Sequence, residues 1–320
     1  MNKVIFKYSS NIESFESYLQ KYIDSKEYLS RELKDSVSYS IFRGGKRIRP
    51  IFTFLTAQSL KVEPVKIYHF ASVIELIHNY SLVHDDLPEM DNDDYRRGKE
   101  STHKKYGNMI GLLAGDALLS LASEMAFDDD FNSGKNEKID AYKFVFNMAG
   151  ASGMIDGQAF ESRAENVNDY KNVIIKKTAN LFRASITGTA KYLGTVRETI
   201  DKLDELALLI GESFQILDDF MDHENDEFYK KHNINIINLI NEKKTHIEAL
   251  LKDLSNEIDT SYFDELVNYL FSEEYIKNEA WSLFKHRKWN DSLESKGPYK
   301  ARQSFGWWYY NRKAFIWCYR

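Results

Sequence analysis

Helix-breaking residues are scarce along this chain, and that scarcity constrains its fold more than any other feature. Four prolines and fifteen glycines are spread over 320 residues, and these two residue types most strongly oppose a helix interior. Between them, apolar residues recur at spacings of three and four. Phe70, Ala71, Val73, Ile74, Ile77, Tyr80 and Val83 follow that spacing, with Glu75 and His78 among them. Gly111 to Phe127 is rich in Leu and Ala, and Leu203 to Met221 reads the same way. Breaks are expected at Arg43-Gly44-Gly45, Pro64, Arg97-Gly98, Asp128 to Lys135, Asn166-Val167-Asn168 and Lys231 to Asn235. Alternating strand patterns are nearly absent, and Ile234 to Ile240 is the one strand candidate. No fixed-period repeat is present. The expectation is one all-α domain of roughly ten helices over residues 1–272, followed by a compositionally distinct tail, 273–320.

Bulk composition narrows the function. The net charge of -6 and sequence pI near 5.8 argue against a nucleic-acid binder. The single cysteine, Cys318, rules out an intramolecular disulfide framework and fits a reducing compartment. Met1 to Phe15 has no signal-peptide apolar core, so a cytoplasmic location is expected. The most apolar long run, Met109 to Phe127, is interrupted by Asp116 and Glu124, so no transmembrane segment is expected. Charge is uneven: residues 281–320 carry a net of +7 and the first 280 a net of -13. All five tryptophans lie in that basic stretch.

Two acidic clusters interrupt apolar helical stretches. The first is His84-Asp85-Asp86-Leu87-Pro88-Glu89-Met90-Asp91, and the second is Gln215-Ile216-Leu217-Asp218-Asp219-Phe220-Met221-Asp222. Dense carboxylates on apolar helices are costly unless cations neutralise them. Asp218 and Asp222, four apart, project from one helix face, with Asp219 beside them and Gln215 about one turn earlier. In the first cluster Pro88 disturbs the helical geometry, so spacing leaves open whether Glu89 or Asp91 accompanies Asp85. The chain lacks the EF-hand pattern around Asp91. Oxygen donors of this kind suit Mg2+, which takes one or two carboxylates and completes its shell with water and phosphate. Basic groups complete the set: Lys46, Arg47 and Arg49 at an expected helix start, Arg96-Arg97 after the first cluster, and Lys176-Lys177-Thr178 in mid-chain. Each run alone reads as a solvated face. With two carboxylate clusters they read as a site for metal ions and a polyphosphate.

In the order Gly44 to Pro50, His78 to Gly98, Leu113 to Leu118, Asp156-Gly157-Gln158, Lys177-Thr178 and Phe214 to Asp222, these motifs resemble the trans-prenyltransferases, or polyprenyl diphosphate synthases. The resemblance spans roughly residues 35 to 270 and is nearest to the bacterial farnesyl diphosphate synthases. It implies an isoprenoid-synthase-type helical bundle around a central cavity. It also implies a prenyltransferase that condenses dimethylallyl or geranyl diphosphate with isopentenyl diphosphate and releases diphosphate. Mg2+ ligands then fall on Asp85, Asp86, Asp91, Asp218, Asp219 and Asp222. Isopentenyl diphosphate contacts fall on Lys46, Arg49, His78 and Arg97. Allylic diphosphate contacts fall on Arg96 and Lys177, with Thr178 and Gln215 nearby. The family is commonly homodimeric. Tyr80, about a turn and a half before Asp85, is expected to form a cavity floor that stops growth at the farnesyl product. Geranylgeranyl diphosphate is the alternative product. A terpene cyclase is disfavoured, because it needs no isopentenyl diphosphate site of the Lys46, Arg49 and His78 kind.

The pattern departs from the family at three places. Asp156 replaces a glycine, and Glu161 follows Gln158 where the family has aspartate. In His223 to Thr245 no glycine precedes Lys230 or Lys231, and Asn235 or Asn238 stands where an aspartate belongs, while Lys244-Thr245 survives. Loss of that carboxylate would loosen a third metal ion, which keeps a non-catalytic regulatory subunit of the same fold in view. The third departure is the tail. Its aromatic and basic residues suit peripheral membrane contact, partner docking, or sequence not under selection, such as a shifted reading frame. Deleting residues 281–320 is expected to leave catalysis intact.

Overall fold

The computed structural model describes residues 7–272, except 28, 131–135, 223–228, 230 and 233; the side chains of 129, 130 and 220–222 are also outside the description. The tail from 273, with its expected membrane or partner contacts, lies outside the described residues. The helices are α1 (Ser9–Asp24), α2 (Arg31–Phe42), α3 (Ile48–Ser59), α4 (Tyr68–Asp85), α5 (Thr102–Tyr106), α6 (Asn108–Asp130), α7 (Asn136–Ala149), α8 (Met154–Glu161), α9 (Val167–Val173), α10 (Asn180–Tyr192), α11 (Arg197–Asp222), α12 (Ile236–Leu254) and α13 (Ser261–Leu270). A 3-10 turn, Pro64–Ile67, precedes α4, and a π-helical turn, Ile174–Ala179, joins α9 to α10. The short α5, α8 and α9 raise the number of helices above the ten or so expected.

Two apolar clusters hold the helices together. One joins α1, α2, α3, α4, α6 and α7 around Phe15, Phe54, Phe70, Leu118 and Val145. The other joins α3, α10, α11, α12 and α13 around Phe52, Phe182, Leu206, Leu251 and Phe263. Helix α4 is buried nearly all round, from Tyr68 to Val83, so it is a core helix rather than an amphipathic surface one. Arg183 on α10 makes a forked pair with Asp204 on α11, at 3.0 and 2.7 Å, which orients α11 along the bundle.

One sequence expectation needs correction. Ile234 to Ile240 is not a strand. Asn235 caps α12 by accepting from the Asn238 amide, and Ile236, Ile247, Leu251 and Leu254 form its buried face. The alternation at 234 and 236 is the edge of a helical pattern. A two-stranded antiparallel hairpin, β1 (Tyr95–Arg96) and β2 (Lys99–Glu100), occupies the expected break at Arg97-Gly98. Both turn residues have positive φ, 55° and 74°, the geometry of a tight two-residue hairpin. Finally, one helix among the described residues is long and apolar enough to cross a membrane: Asn108–Asp128, with mean hydropathy 1.4. Asp116 and Glu124 do not offset its Leu and Ala content. Its inner face, Ala114, Leu118, Leu121, Ala122 and Met125, packs in the first cluster. Met109, Leu112, Leu113 and Phe127 on the same helix are exposed.

Candidate active site

The loop before α3 is built by two neighbours. Gly45 has φ 140°, and a side chain there would strike the Arg97 guanidinium. Arg97 itself donates to the Gly44 carbonyl, so the hairpin is tied to this loop. Of the three cations expected at the helix start, Arg47 turns inward. Its φ is 52°, and its guanidinium meets Glu75 at 2.8 Å and Glu16 at 2.7 Å and donates to the Ile41 carbonyl at 2.6 Å. Arg47 and Glu75 are both buried, which makes their pairing obligatory. Lys46 stays exposed on the loop. Arg49 donates to His78 Nε2 at 3.2 Å, so that nitrogen accepts and the imidazole proton sits on Nδ1. Burial, followed by the charges of Arg49, Arg97 and Arg96, holds the His78 pKa well below its ordinary value. His78 is therefore a neutral partner of Arg49. Burial also lowers Arg49 and Arg97 to about 10.

The first acidic cluster ends α4. Past Asp85 the chain turns back on itself: the Asp91 amide donates to the Asp85 carbonyl at 2.9 Å, and the Asp93 amide to the Asp86 carbonyl at 3.2 Å. This fold-back sets Asp91 beside Asp85, and both Asp91 and Glu89 are exposed. Burial raises the Asp85 carboxyl to about 6, against the attraction of Lys177, with the charge of Asp91 adding to the rise. Asp91 is raised too, by desolvation and then by Asp93 and Glu161, with Lys177 opposing. Asp86 points elsewhere. It is fully buried, one oxygen accepting from Arg43 at 3.2 Å and the other from Arg96. The sequence grouped it with Asp85 and Asp91, but its oxygens serve two guanidinium groups.

The second cluster lies near the end of α11. Lys177 and Thr178 sit on the π-helical turn, a form that recurs at functional sites. Gly157 on α8 lets this turn approach, since a side chain there would strike the Lys177 amide. Lys177 pairs with Glu161 at 2.5 Å and reaches Asp85 and Asp91 electrostatically. Thr178 donates to Gln215 Oε1 at 2.6 Å, and Gln215 Nε2 donates to Asp219 Oδ1 at 2.9 Å. Asp218, half-buried, acts on Arg49. Asp219 is buried and accepts from the hydroxyls of Tyr170 and Tyr229 on its other oxygen. Burial, and then the Asp219 charge, raises both phenols above their ordinary pKa, so both remain donors. The Asp222 side chain lies outside the described residues.

Oxygen donors from Asp85, Asp91 and Asp218 have the chemistry that Mg2+ requires, and the desolvated Asp85 carboxyl favours a cation nearby. No group of three or more metal-competent side chains is already assembled among the described residues. Tyr80 is buried one turn and more below Asp85, its ring edge-on to His84 at 5.9 Å. Several residues were missed by sequence reasoning. Arg43, Glu75, Tyr170 and Tyr229 support the site through contacts with residues distant in sequence, and only Glu75, a lone acid on the apolar α4, carried a local signal.

Comparison with known proteins gives the family. The polyprenyl synthetase family model matches residues 30–252. Farnesyl diphosphate synthase of Micrococcus luteus is 34% identical over 259 residues, covering 78% of this chain and 87% of the relative. The Geobacillus stearothermophilus farnesyl diphosphate synthase is 36% identical over 220 residues, 67% of this chain and 74% of the relative. A geranyltransferase structure from Legionella pneumophila superposes with TM-score 0.74 at 28% identity, covering 84% of this chain and 95% of the other. The match takes in both acidic clusters, the Gly44-Gly45 loop and the Lys177 turn, and the chain belongs to the polyprenyl synthetase family.

Proposed function

We propose that this protein joins an allylic prenyl diphosphate to isopentenyl diphosphate, releases diphosphate, and makes farnesyl diphosphate as its main product. One observation carries the reading. Carboxylates at the end of α4 lie in the field of Lys177 and Arg96, and Asp218 on α11 lies in the field of Arg49, which itself contacts His78 on α4. Asp85, Asp91 and Asp218, with Asp222 by its place in the motif, would hold Mg2+, which would neutralise charge on the leaving diphosphate. Lys177 and Arg96 bind the allylic diphosphate. Arg96 is anchored by Asp86, so its position is set before substrate arrives. Thr178 and Gln215 hold the Lys177 turn against α11. Lys46, Arg49 and Arg97 bind isopentenyl diphosphate, and neutral His78 orients Arg49. The allylic C–O bond breaks, the isopentenyl double bond attacks the resulting cation, and the departing diphosphate accepts the proton then lost.

Tyr80 supports the fifteen-carbon length, as a buried aromatic below Asp85. The exposed stripe Met109, Leu112, Leu113 and Phe127 on α6 supports a homodimer. A cytoplasmic setting remains part of the proposal. The test is a product assay with purified protein, Mg2+, isopentenyl diphosphate and geranyl diphosphate. A fifteen-carbon product abolished by Asp85→Ala or Asp218→Ala is expected. A twenty-carbon product would keep the enzyme and reject the floor. Folded protein with no product would move the reading to a regulatory subunit.

A further inference from the structure

Two adjacent lysines of the π-helical turn are held by the two ends of one short helix. Lys176 Nζ meets Asp156 Oδ2 at 2.5 Å in the first turn of α8, and Lys177 Nζ meets Glu161 Oε2 at 2.5 Å on its last residue. Between these pairs Gly157 lets the two backbones touch. A side-chain carbon there would stand 2.6 Å from the Lys177 amide nitrogen and 2.7 Å from the Lys176 Cβ. The lysines then lead to different places. Lys177 acts on Asp85 and Asp91. Lys176 lines a groove of about 230 Å3 between α8 and α9, together with Asp156, Phe160, Asn172 and Val173. Asp156 stands where the family pattern has a glycine, so the Asp156–Lys176 pair belongs to this chain.

An allylic diphosphate competes with Glu161 for the Lys177 ammonium, so the tie at the end of α8 loosens as substrate binds. The π-helical turn is a rare form, each bond spanning one residue more than in an α-helix, and its register depends on what packs against it. Resting on the proposed prenyltransferase function, we propose that the Asp156–Lys176 pair is a clip that keeps the turn seated on α8 while Lys177 exchanges Glu161 for the allylic diphosphate. Asp156 is thereby a positioning residue, acting through the turn and touching no substrate. Both side chains of the pair are partly exposed, so the effect has the scale of a surface ion pair, about fivefold at most in an equilibrium constant.

The full-length protein tests the clip in two measurements. The first needs no substrate: hydrogen exchange of the Ile174–Ala179 amides in ligand-free protein, read by mass spectrometry. Asp156→Asn and Lys176→Met are each expected to speed exchange there about threefold and to leave α12 unchanged. The double variant is expected to exchange no faster than either single one, because both remove the same contact. Unchanged exchange, or effects that add in the double variant, would overturn the clip. The second is steady-state kinetics of Asp156→Asn. KM for geranyl diphosphate is expected to rise about threefold, with kcat and KM for isopentenyl diphosphate unchanged. An unchanged allylic KM, or a rise of both KM values together, would overturn the positioning role. If the parent protein turns over no geranyl diphosphate, the prenyltransferase reading fails instead, and the exchange measurement still decides the clip.

Discussion

Burial holds the Asp85 carboxyl at about 6 against the pull of Lys177, and the sign of that shift makes a prediction. A carboxyl that titrates near 3.8 unfolded and near 6 folded binds its proton more tightly in the folded state. Its contribution to stability is complete below the unfolded value and is lost as pH rises through about 6. Asp85→Asn, which cannot ionise, should therefore raise the melting temperature of metal-free protein at pH 7 and change it little at pH 4, measured by calorimetry. Mg2+ competes with the same proton, so its affinity should fall as pH drops below 6 in the parent. A flat profile would remove Asp85 from the metal ligands. Tyr80 gives a second test at this scale. Tyr80→Ala should shift the product toward twenty carbons or longer, read by chromatography of the dephosphorylated prenols. An unchanged length would put the floor elsewhere.

At the scale of elements, the loop before α3 is held by a buried ionic contact from another helix, and the π-helical turn by a partly exposed one. Arg47 adopts a left-handed backbone conformation that costs about 1–3 kcal/mol unless the surroundings enforce it. Glu75 on α4 and Glu16 on α1 supply that enforcement. Removing one partner of a buried pair leaves an uncompensated charge, so Glu75→Ala should destabilise the fold by about 3–5 kcal/mol in urea titration. It should also weaken isopentenyl diphosphate binding, because Lys46 and Arg49 flank Arg47. A loss below about 1 kcal/mol would mean that the pair is dispensable. Glu161 holds Lys177 through a partly exposed pair.

For the whole molecule, the described core closes at α13, where Phe263, Leu266 and Val267 pack under α3 and α12. A chain ending at residue 272 should therefore fold and keep its turnover, checked by circular dichroism and the product assay. Loss of folding would make the basic aromatic tail part of the domain. The exposed apolar stripe on α6 sets the other prediction at this scale. On the proposed dimer, Leu112→Glu combined with Leu113→Glu should convert the protein to a monomer in analytical ultracentrifugation, because like charges facing across a twofold interface repel. A dimer that survives this change would place the interface on another face.

Much of this protein could be read from its sequence, because the signals concerned are local. Scarce breakers and spacings of three and four fixed the helical class, and acid clusters on apolar helices marked the site. The Asn235 cap and the Arg97-Gly98 turn were also there to be read, but the first was masked by two isoleucines in alternation. Tertiary structure alone decided which donors each carboxylate meets. Asp85 and Asp86 are neighbours of one type, as are Asp218 and Asp219, and no local pattern separates them. Their surroundings differ: Arg43 and Arg96 donate to Asp86, and Tyr170 and Tyr229, brought in from other segments, donate to Asp219. A buried carboxylate takes its role from the donors around it, and those are set by packing between distant parts of the chain.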